Sequence, residues 1–166
     1  MNPAHFGDSF DLVKRFFVTE LKILGYEVAT DPMLTGIWNG SEQYFFRLIG
    51  TRPQQLAITD TSKTALFLDP DIGVNVKGGK QHVSYTRLAT EASKYDLVFS
   101  FDQSFARGVS PYVAMQSKLD ELGKLGLHAM YYDSHAKFLF VSKRAALLAG
   151  LRAHLVGLGL PAERLL

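Results

Sequence analysis

Two short, continuously apolar segments limit what this chain can fold into. The first is residues 65–68, which are followed by Asp69-Pro70. The second is residues 97–99, within a predicted strand over residues 95–101. Apolar runs of this length, bounded by turn residues, are typical of strands that are buried on both faces of a sheet. Such strands need helices on both sides, so the rest of the chain must supply them.

The segments around these strands carry helical signals. Asp8 is a suitable N-cap, apolar residues recur at helical spacing from Phe10 to Leu24, and Gly25 is a natural stop. Further helices are predicted over residues 41–49, 82–94, 110–125 and 143–157, and weaker strands over residues 26–30 and 55–59. The glycine-rich stretch 73–79 is predicted to be a mobile loop that covers the strand ends as a lid.

The C-terminal part predicts two more strands, over residues 127–132 and 137–142, joined by a short turn as an antiparallel hairpin. Helices that alternate with buried strands indicate a mostly parallel sheet. A chain of 166 residues is long enough for one domain. The sequence therefore predicts a single α/β domain over residues 1–166, three-layered and Rossmann-like, with the hairpin adding an antiparallel edge strand.

Composition excludes several classes of function. The chain has no cysteine, which excludes disulfides, thiolate nucleophiles and cysteine-based zinc sites. A net charge of +2 is too even to indicate nucleic acid by bulk electrostatics alone. Neither a secretory signal nor an apolar run long enough for a membrane span is found, so we expect a cytoplasmic protein without a membrane partner.

Acidic residues follow the predicted strands. Asp31 comes after the first strand, Asp69 and Asp71 after the central strand, and Asp102 after the next. Ligands of parallel sheets bind at the carboxyl ends of the strands, and grouped carboxylates can hold Mg²⁺ or transfer protons. We expect these four side chains to lie around one crevice. Two further residues are expected there: Lys14 and His135.

Residues 5–15 are the other marked element. Asp8, Asp11 and Arg15 share one helical face, with Lys14 beside them. One interpretation is a capped, salt-bridged start of a helix. The alternative is that His5 and its basic neighbours at positions 14 and 15 face a phosphate or a nucleotide.

With these segments the chain resembles the large-subunit ribosomal RNA adenine methyltransferases, which are Rossmann-like and depend on S-adenosylmethionine. Residues 5–15 are similar to the family's opening His-Ala-Gly-Asn-x-x-Asp-Val-Leu-Lys-His. Asp69-Pro70-Asp71-Ile72 lies where that family has Asp-Pro-Pro-Tyr at the end of an apolar strand. The resemblance implies that Asp69 is catalytic and that Lys14 and Arg15 lie near the cofactor. Because of their places after the strands, Asp71 and Asp102 are the further catalytic candidates, and Asp31 and Gly36 the further candidates for cofactor binding.

The chain departs from the family's motifs in two places. Gly36 is the single glycine of the segment that would be the cofactor loop, and Ile72 replaces the aromatic residue on which a flipped adenine would stack. We therefore predict a divergent methyltransferase-like domain that acts on or binds nucleic acid or a nucleotide.

Two alternatives stay open. Asp69 and Asp71 also resemble the Asp-x-Asp motif of toprim domains, in which case they would be Mg²⁺ ligands of a phosphodiesterase or nuclease. The chain could instead be an inactive binding or assembly module. Its apolar residues 147–160 would then form a homodimer face, although a docked terminal helix is the simpler interpretation of this pattern.

Overall fold

The central feature of the computed structural model, which describes residues 1–54 and 63–166, is a six-stranded sheet in a mixed α/β fold. The predicted strand at residues 55–59 lies outside the described residues. In chain order the elements are α1 (Ser9–Ile23), β1 (Glu27–Asp31), α2 (Glu42–Ile49), β2 (Arg52–Pro53), β3 (Thr64–Leu68), β4 (Gly73–Asn75), β5 (His82–Ser84), α3 (Tyr85–Glu91), β6 (Leu97–Phe101), α4 (Pro111–Lys124), β7 (His128–Tyr132), β8 (Phe138–Ser142) and α5 (Ala145–Gly157).

The strand order is β2-β1-β3-β6-β8-β7, and the first four of these strands are parallel. Strand β8 runs antiparallel to both β6 and β7. The predicted hairpin is therefore confirmed, but the prediction that it adds an antiparallel edge strand is wrong. All five residues of β8 are buried, whereas β7 begins with the exposed His128. The more apolar strand thus takes the inner position, and β7 at the edge runs parallel to β6.

Side chains of the central strands alternate between two apolar cores, one on each face of the sheet. Ala65 and Phe67 pack in a core with residues of α1, α2 and α5. Leu66 and Leu68 pack in a second core with residues of α3 and α4. The alternation follows from the two-residue period of a strand. It also decides which helices a residue just beyond a strand can reach.

Helix α1 begins and ends where its sequence signals predict. The Asp8 side chain accepts hydrogen bonds from the backbone N–H groups of Phe10 (2.9 Å) and Asp11 (3.2 Å), which are otherwise unpaired in the first turn. After the last turn, Gly25 takes a positive φ of 84°, a conformation that glycine adopts at little cost. The buried face of α1 therefore starts immediately beside the strand ends.

The glycine-rich stretch after β3 is not all loop. Strands β4 and β5 pair in parallel as a small second sheet, and both Val74 and Val83 are fully buried. A Cβ on Gly73 would lie 2.1 Å from Asp102 Oδ1, so only glycine allows this close approach. The loop prediction is therefore wrong for β4. Helix α3 is also shorter than predicted, because residues 82–84 belong to β5.

The C-terminal helix α5 is docked on the sheet. Leu148, Leu151 and Leu155 are buried and pack in the core shared with α1. Beyond the helix, the backbone of Leu166 exchanges hydrogen bonds with Tyr131 of β7 (3.0 and 3.1 Å). The docked interpretation of this segment is thus confirmed. In the described parts of the chain, no helix is both long and apolar enough to cross a membrane.

Candidate functional site

A pocket of about 210 Å³ opens at the carboxyl ends of β3 and β6, beside the first turns of α1. Lys14, Asp71 and Gln103 line its polar side, while Phe10 and Phe101 line its apolar side. The strand ends of a parallel sheet are the usual ligand position in open α/β folds. This pocket is therefore the candidate site.

The Lys14 ammonium group is held beside the pocket by two carboxylates. Its Nζ lies 2.8 Å from Asp11 Oδ1 and 2.9 Å from Asp69 Oδ2, and all three side chains are at most 4% exposed. Asp11 and Lys14 meet because residues three apart are neighbours on a helix. Asp69 reaches the same point from the end of β3. We call Asp11, Lys14 and Asp69 the buried triad.

The pKa values of two members of the buried triad, Asp69 and Lys14, are raised. Burial raises the pKa of Asp69 although Lys14 and the N-terminal ammonium oppose this effect. Burial would lower the pKa of Lys14, but Asp69 and Asp11 outweigh it and the pKa is raised. Asp69 Oδ1 is buried and has no hydrogen-bond partner among the described residues. The triad is thus a charged group with one free acceptor.

Asp71 has different partners from Asp69. The N-terminal ammonium group lies 2.8 Å from Asp71 Oδ1, and the Thr35 hydroxyl donates to Oδ2. Burial alone would raise the pKa of Asp71. Hydrogen bonds from the N-terminal ammonium group, Thr35 and Gln81 outweigh burial, so the pKa is lowered. Asp71 is therefore an anionic acceptor on the pocket wall.

The aromatic side of the pocket comes from α1 and β6. The Phe10 and Phe101 rings meet edge to face, with centroids 5.3 Å apart. His135 stacks on the outer part of this group, 5.0 Å from Phe10, and its carbonyl accepts a hydrogen bond from the Gln103 side chain (2.5 Å). His135 thus contacts Phe10 and Gln103 but does not itself line the pocket. Flat apolar walls with polar groups beside them suit a planar, polar ligand.

Asp31 and Gly36 lie in a separate, open groove of about 570 Å³. The Asp31 carboxylate pairs there with Arg87 of α3 (2.5 Å), and Lys80 is on the same wall. The Asp69 backbone N–H donates to Asp31 O (3.0 Å), so the two residues are neighbours at the sheet edge. Their side chains nevertheless leave opposite faces of the sheet. The prediction that these side chains lie around one crevice is therefore wrong: Asp31 lines the groove, whereas Asp69 is buried beside the pocket on the other face.

Asp102 is also on the other face, in a fully bonded network. Its Oδ1 accepts from the backbone N–H of Val74 (2.9 Å), and its Oδ2 accepts from Lys118 (2.6 Å) and Tyr131 (2.5 Å). Ser104 also donates to Oδ1. Burial lowers the pKa of Lys118 and raises that of Tyr131. Asp102 joins β4, β6 and α4, and the predicted position beside Asp69 is wrong because side chains alternate along β6.

Arg15 is exposed, in contrast to Lys14, and does not line the pocket. One residue further along a helix turns about 100°, which directs Arg15 away from the strand ends. The predicted position of Arg15 beside the site is therefore wrong. The predicted salt-bridged start of the helix is present as the pair of Asp11 and Lys14. Phe101 was missed as a site residue, although the alternation along β6 points to it.

Asp69 and Asp71, the metal ligands of the alternative prediction, are both paired with ammonium groups. Asp69 Oδ2 lies 2.9 Å from Lys14 Nζ, and Asp71 Oδ1 lies 2.8 Å from the N-terminal ammonium group. Across residues 1–54 and 63–166, no group of three or more histidine, aspartate or glutamate side chains is placed to hold a metal ion.

Comparison with known proteins finds no match to this chain among family models, curated proteins or solved structures.

Proposed function

We propose that this chain is a divergent, Rossmann-like relative of the S-adenosylmethionine-dependent methyltransferases whose pocket binds a nucleotide or an unpaired base of a nucleic acid. One observation carries the proposal. The two segments that resemble the methyltransferase family, residues 5–15 and Asp69-Pro70-Asp71-Ile72, are far apart in sequence but meet at one pocket.

The walls of the pocket suit a nucleic-acid base. The family motif has an aromatic residue where this chain has Ile72, but Phe10 and Phe101 supply aromatic surface in the pocket. Stacking of a base on such a surface contributes about 1–3 kcal/mol. Asp71 accepts and Gln103 donates hydrogen bonds at the edge of a planar ring. The volume of about 210 Å³ is below the ~300–1,000 Å³ of drug-sized pockets. That size favours a single base over a dinucleotide.

Three polar residues of the neighbouring groove support a role in binding S-adenosylmethionine. Asp31 ends β1 and can accept hydrogen bonds from ribose hydroxyls, while Arg87 and Lys80 can hold a carboxylate. When bound, S-adenosylmethionine supplies the methyl group. This chain's residues would orient the two ligands, with Asp71 and Gln103 facing the ligand in the pocket.

Thermal-shift titration tests the proposal with three probes: S-adenosylmethionine, adenosine monophosphate and Mg²⁺. A ligand that binds only the folded state stabilises it by about 2.7 kcal/mol at a hundredfold excess over Kd. We expect Asp31→Asn to remove the shift with S-adenosylmethionine. Asp71→Asn should remove the shift with adenosine monophosphate. The matched control is Arg15→Ala, which changes an exposed residue and should keep both shifts.

Other outcomes identify the alternatives. A shift with Mg²⁺ alone that Asp71→Asn abolishes would replace the proposal with a metal-dependent phosphodiesterase. No shift with any of the three probes would favour an inactive binding module, and a partner rather than a substrate would then be sought.

A further inference from the structure

The turn between β7 and β8, residues 133–137, carries an aromatic ring on the surface beside the pocket; we call these residues the outer turn. His135 of this turn is exposed, and its ring stacks on Phe10 with centroids 5.0 Å apart and an angle of 19° between the ring planes. Phe10 lines the pocket, whereas His135 does not. The aromatic surface of the pocket therefore continues outward to a ring that solvent reaches.

The outer turn is held in place from several sides. The His135 carbonyl accepts a hydrogen bond from the side chain of Gln103 (2.5 Å), a residue that lines the pocket. The Ser134 hydroxyl donates to the carbonyl of Ala136 (2.8 Å), and Ala136 is buried. Lys137 donates to the carbonyl of Ser134 (2.8 Å). A ring on such a fixed turn loses little conformational freedom when a ligand stacks on it.

Positive charge lies at the same turn. The Arg164 guanidinium is exposed and donates to the backbone carbonyl of Asp133 (2.8 Å), while the backbone N–H of Asp133 donates to Arg164 O (2.7 Å). The Asp133 carboxylate pairs instead with Lys137 (3.4 Å). Within residues 1–54 and 63–166, no carboxylate pairs with Arg164. Its charge is therefore available to a phosphate group, which guanidinium groups bind well.

We propose that the outer turn is a second subsite that stacks a neighbouring base, so that the ligand of the pocket is a single strand of nucleic acid and not a free mononucleotide. This inference rests on the proposed function, which puts one base in the pocket. A single strand offers further bases with open faces for stacking on aromatic rings, and a phosphate between successive nucleotides. His135 supplies such a ring and Arg164 such a cation. A mononucleotide would leave the outer turn without a ligand.

The affinities for one nucleotide and for a strand test the inference. Binding of a fluorescein-labelled five-nucleotide oligoadenylate is followed by anisotropy, and binding of adenosine monophosphate by calorimetry. Stacking of one base strengthens binding about fivefold to a hundredfold. We expect His135→Ala to weaken binding of the oligoadenylate at least about fivefold more than it weakens binding of adenosine monophosphate. His135→Phe keeps an aromatic ring and should restore most of that difference.

Two further variants make the test specific. His128→Ala removes an exposed histidine at the start of β7, and should bind both ligands as the unchanged protein does. Arg164→Gln should weaken binding of the oligoadenylate and reduce the slope of log affinity against log salt concentration by about 0.7, the value for one phosphate contact to a single strand. An unchanged slope would remove Arg164 from the subsite.

The outcomes separate the second subsite from the proposed function. If adenosine monophosphate binds but His135→Ala weakens both ligands equally, the subsite is overturned while the pocket still binds a nucleotide. A loss in His135→Phe as large as that in His135→Ala would also overturn it, because the ring would then not be a stacking surface. If neither nucleotide nor strand binds, both proposals are wrong. If the strand binds through His135 but S-adenosylmethionine does not stabilise the protein, the subsite stands and the proposed cofactor is wrong.

Discussion

Replacing Lys14 with methionine should be among the most destabilising single changes in this chain. The ammonium group lies within 2.9 Å of two carboxylates, and the lysine side chain is 4% exposed. Lys14→Met keeps much of the packing volume but leaves Asp11 and Asp69 as buried anions with no ammonium partner from this helix. Removing one partner of a buried pair costs about 3–5 kcal/mol. We expect a loss of that size at neutral pH.

The loss should depend on pH with a defined sign. Burial already raises the pKa of Asp69, and removing Lys14 removes the main opposing charge. The folded state would then bind protons more tightly than the unfolded state, so its stability would increase as the pH falls. Urea unfolding followed by circular dichroism at about pH 7.5 and about pH 5 measures this difference. The destabilisation should be smaller at the lower pH.

Two variants make the test specific. Lys124→Met removes an exposed lysine that pairs with Glu121 on the surface, and should leave stability unchanged at both pH values. Adding Asp69→Asn to Lys14→Met should recover part of the loss, because one buried anion is removed. A loss below about 1 kcal/mol, equal at both pH values, would refute the charge pairing of the buried triad.

Three further outcomes follow from the geometry. Gly73→Ala should destabilise the fold by about 3 kcal/mol or more in urea unfolding, because its Cβ would overlap Asp102 Oδ1; Gly79→Ala, also at positive φ but with open space, should cost only about 1–2 kcal/mol. Asp71→Asn should destabilise the fold at neutral pH, and this cost should fade as the pH drops below 3.8, because the lowered pKa of Asp71 contributes stability that is lost in acid. Tyr131→Phe should cost about 1.5–3 kcal/mol through its lost bond to Asp102 without changing the thermal shift with adenosine monophosphate.

Local signals were sufficient for the main elements of the fold. Helix α1 was predictable because its cap, its apolar period and its final glycine all lie within the segment itself. Strands β3 and β6 were predictable because a short apolar run between turn residues is typical of a strand buried on both faces of a sheet. Strand β4 was not, because it is three residues long, begins with glycine and depends on a contact with Asp102.

The sequence by itself determined that the aspartates after β1, β3 and β6 would come to one edge of the sheet, since chain direction places all parallel strand ends at the same edge. Only the tertiary structure decided which side chains share a pocket. Asp31 and Asp102 leave the opposite face from Asp69, because strand register and the two-residue alternation set the direction of each side chain. Register is a property of paired strands, and no single segment of the chain contains it.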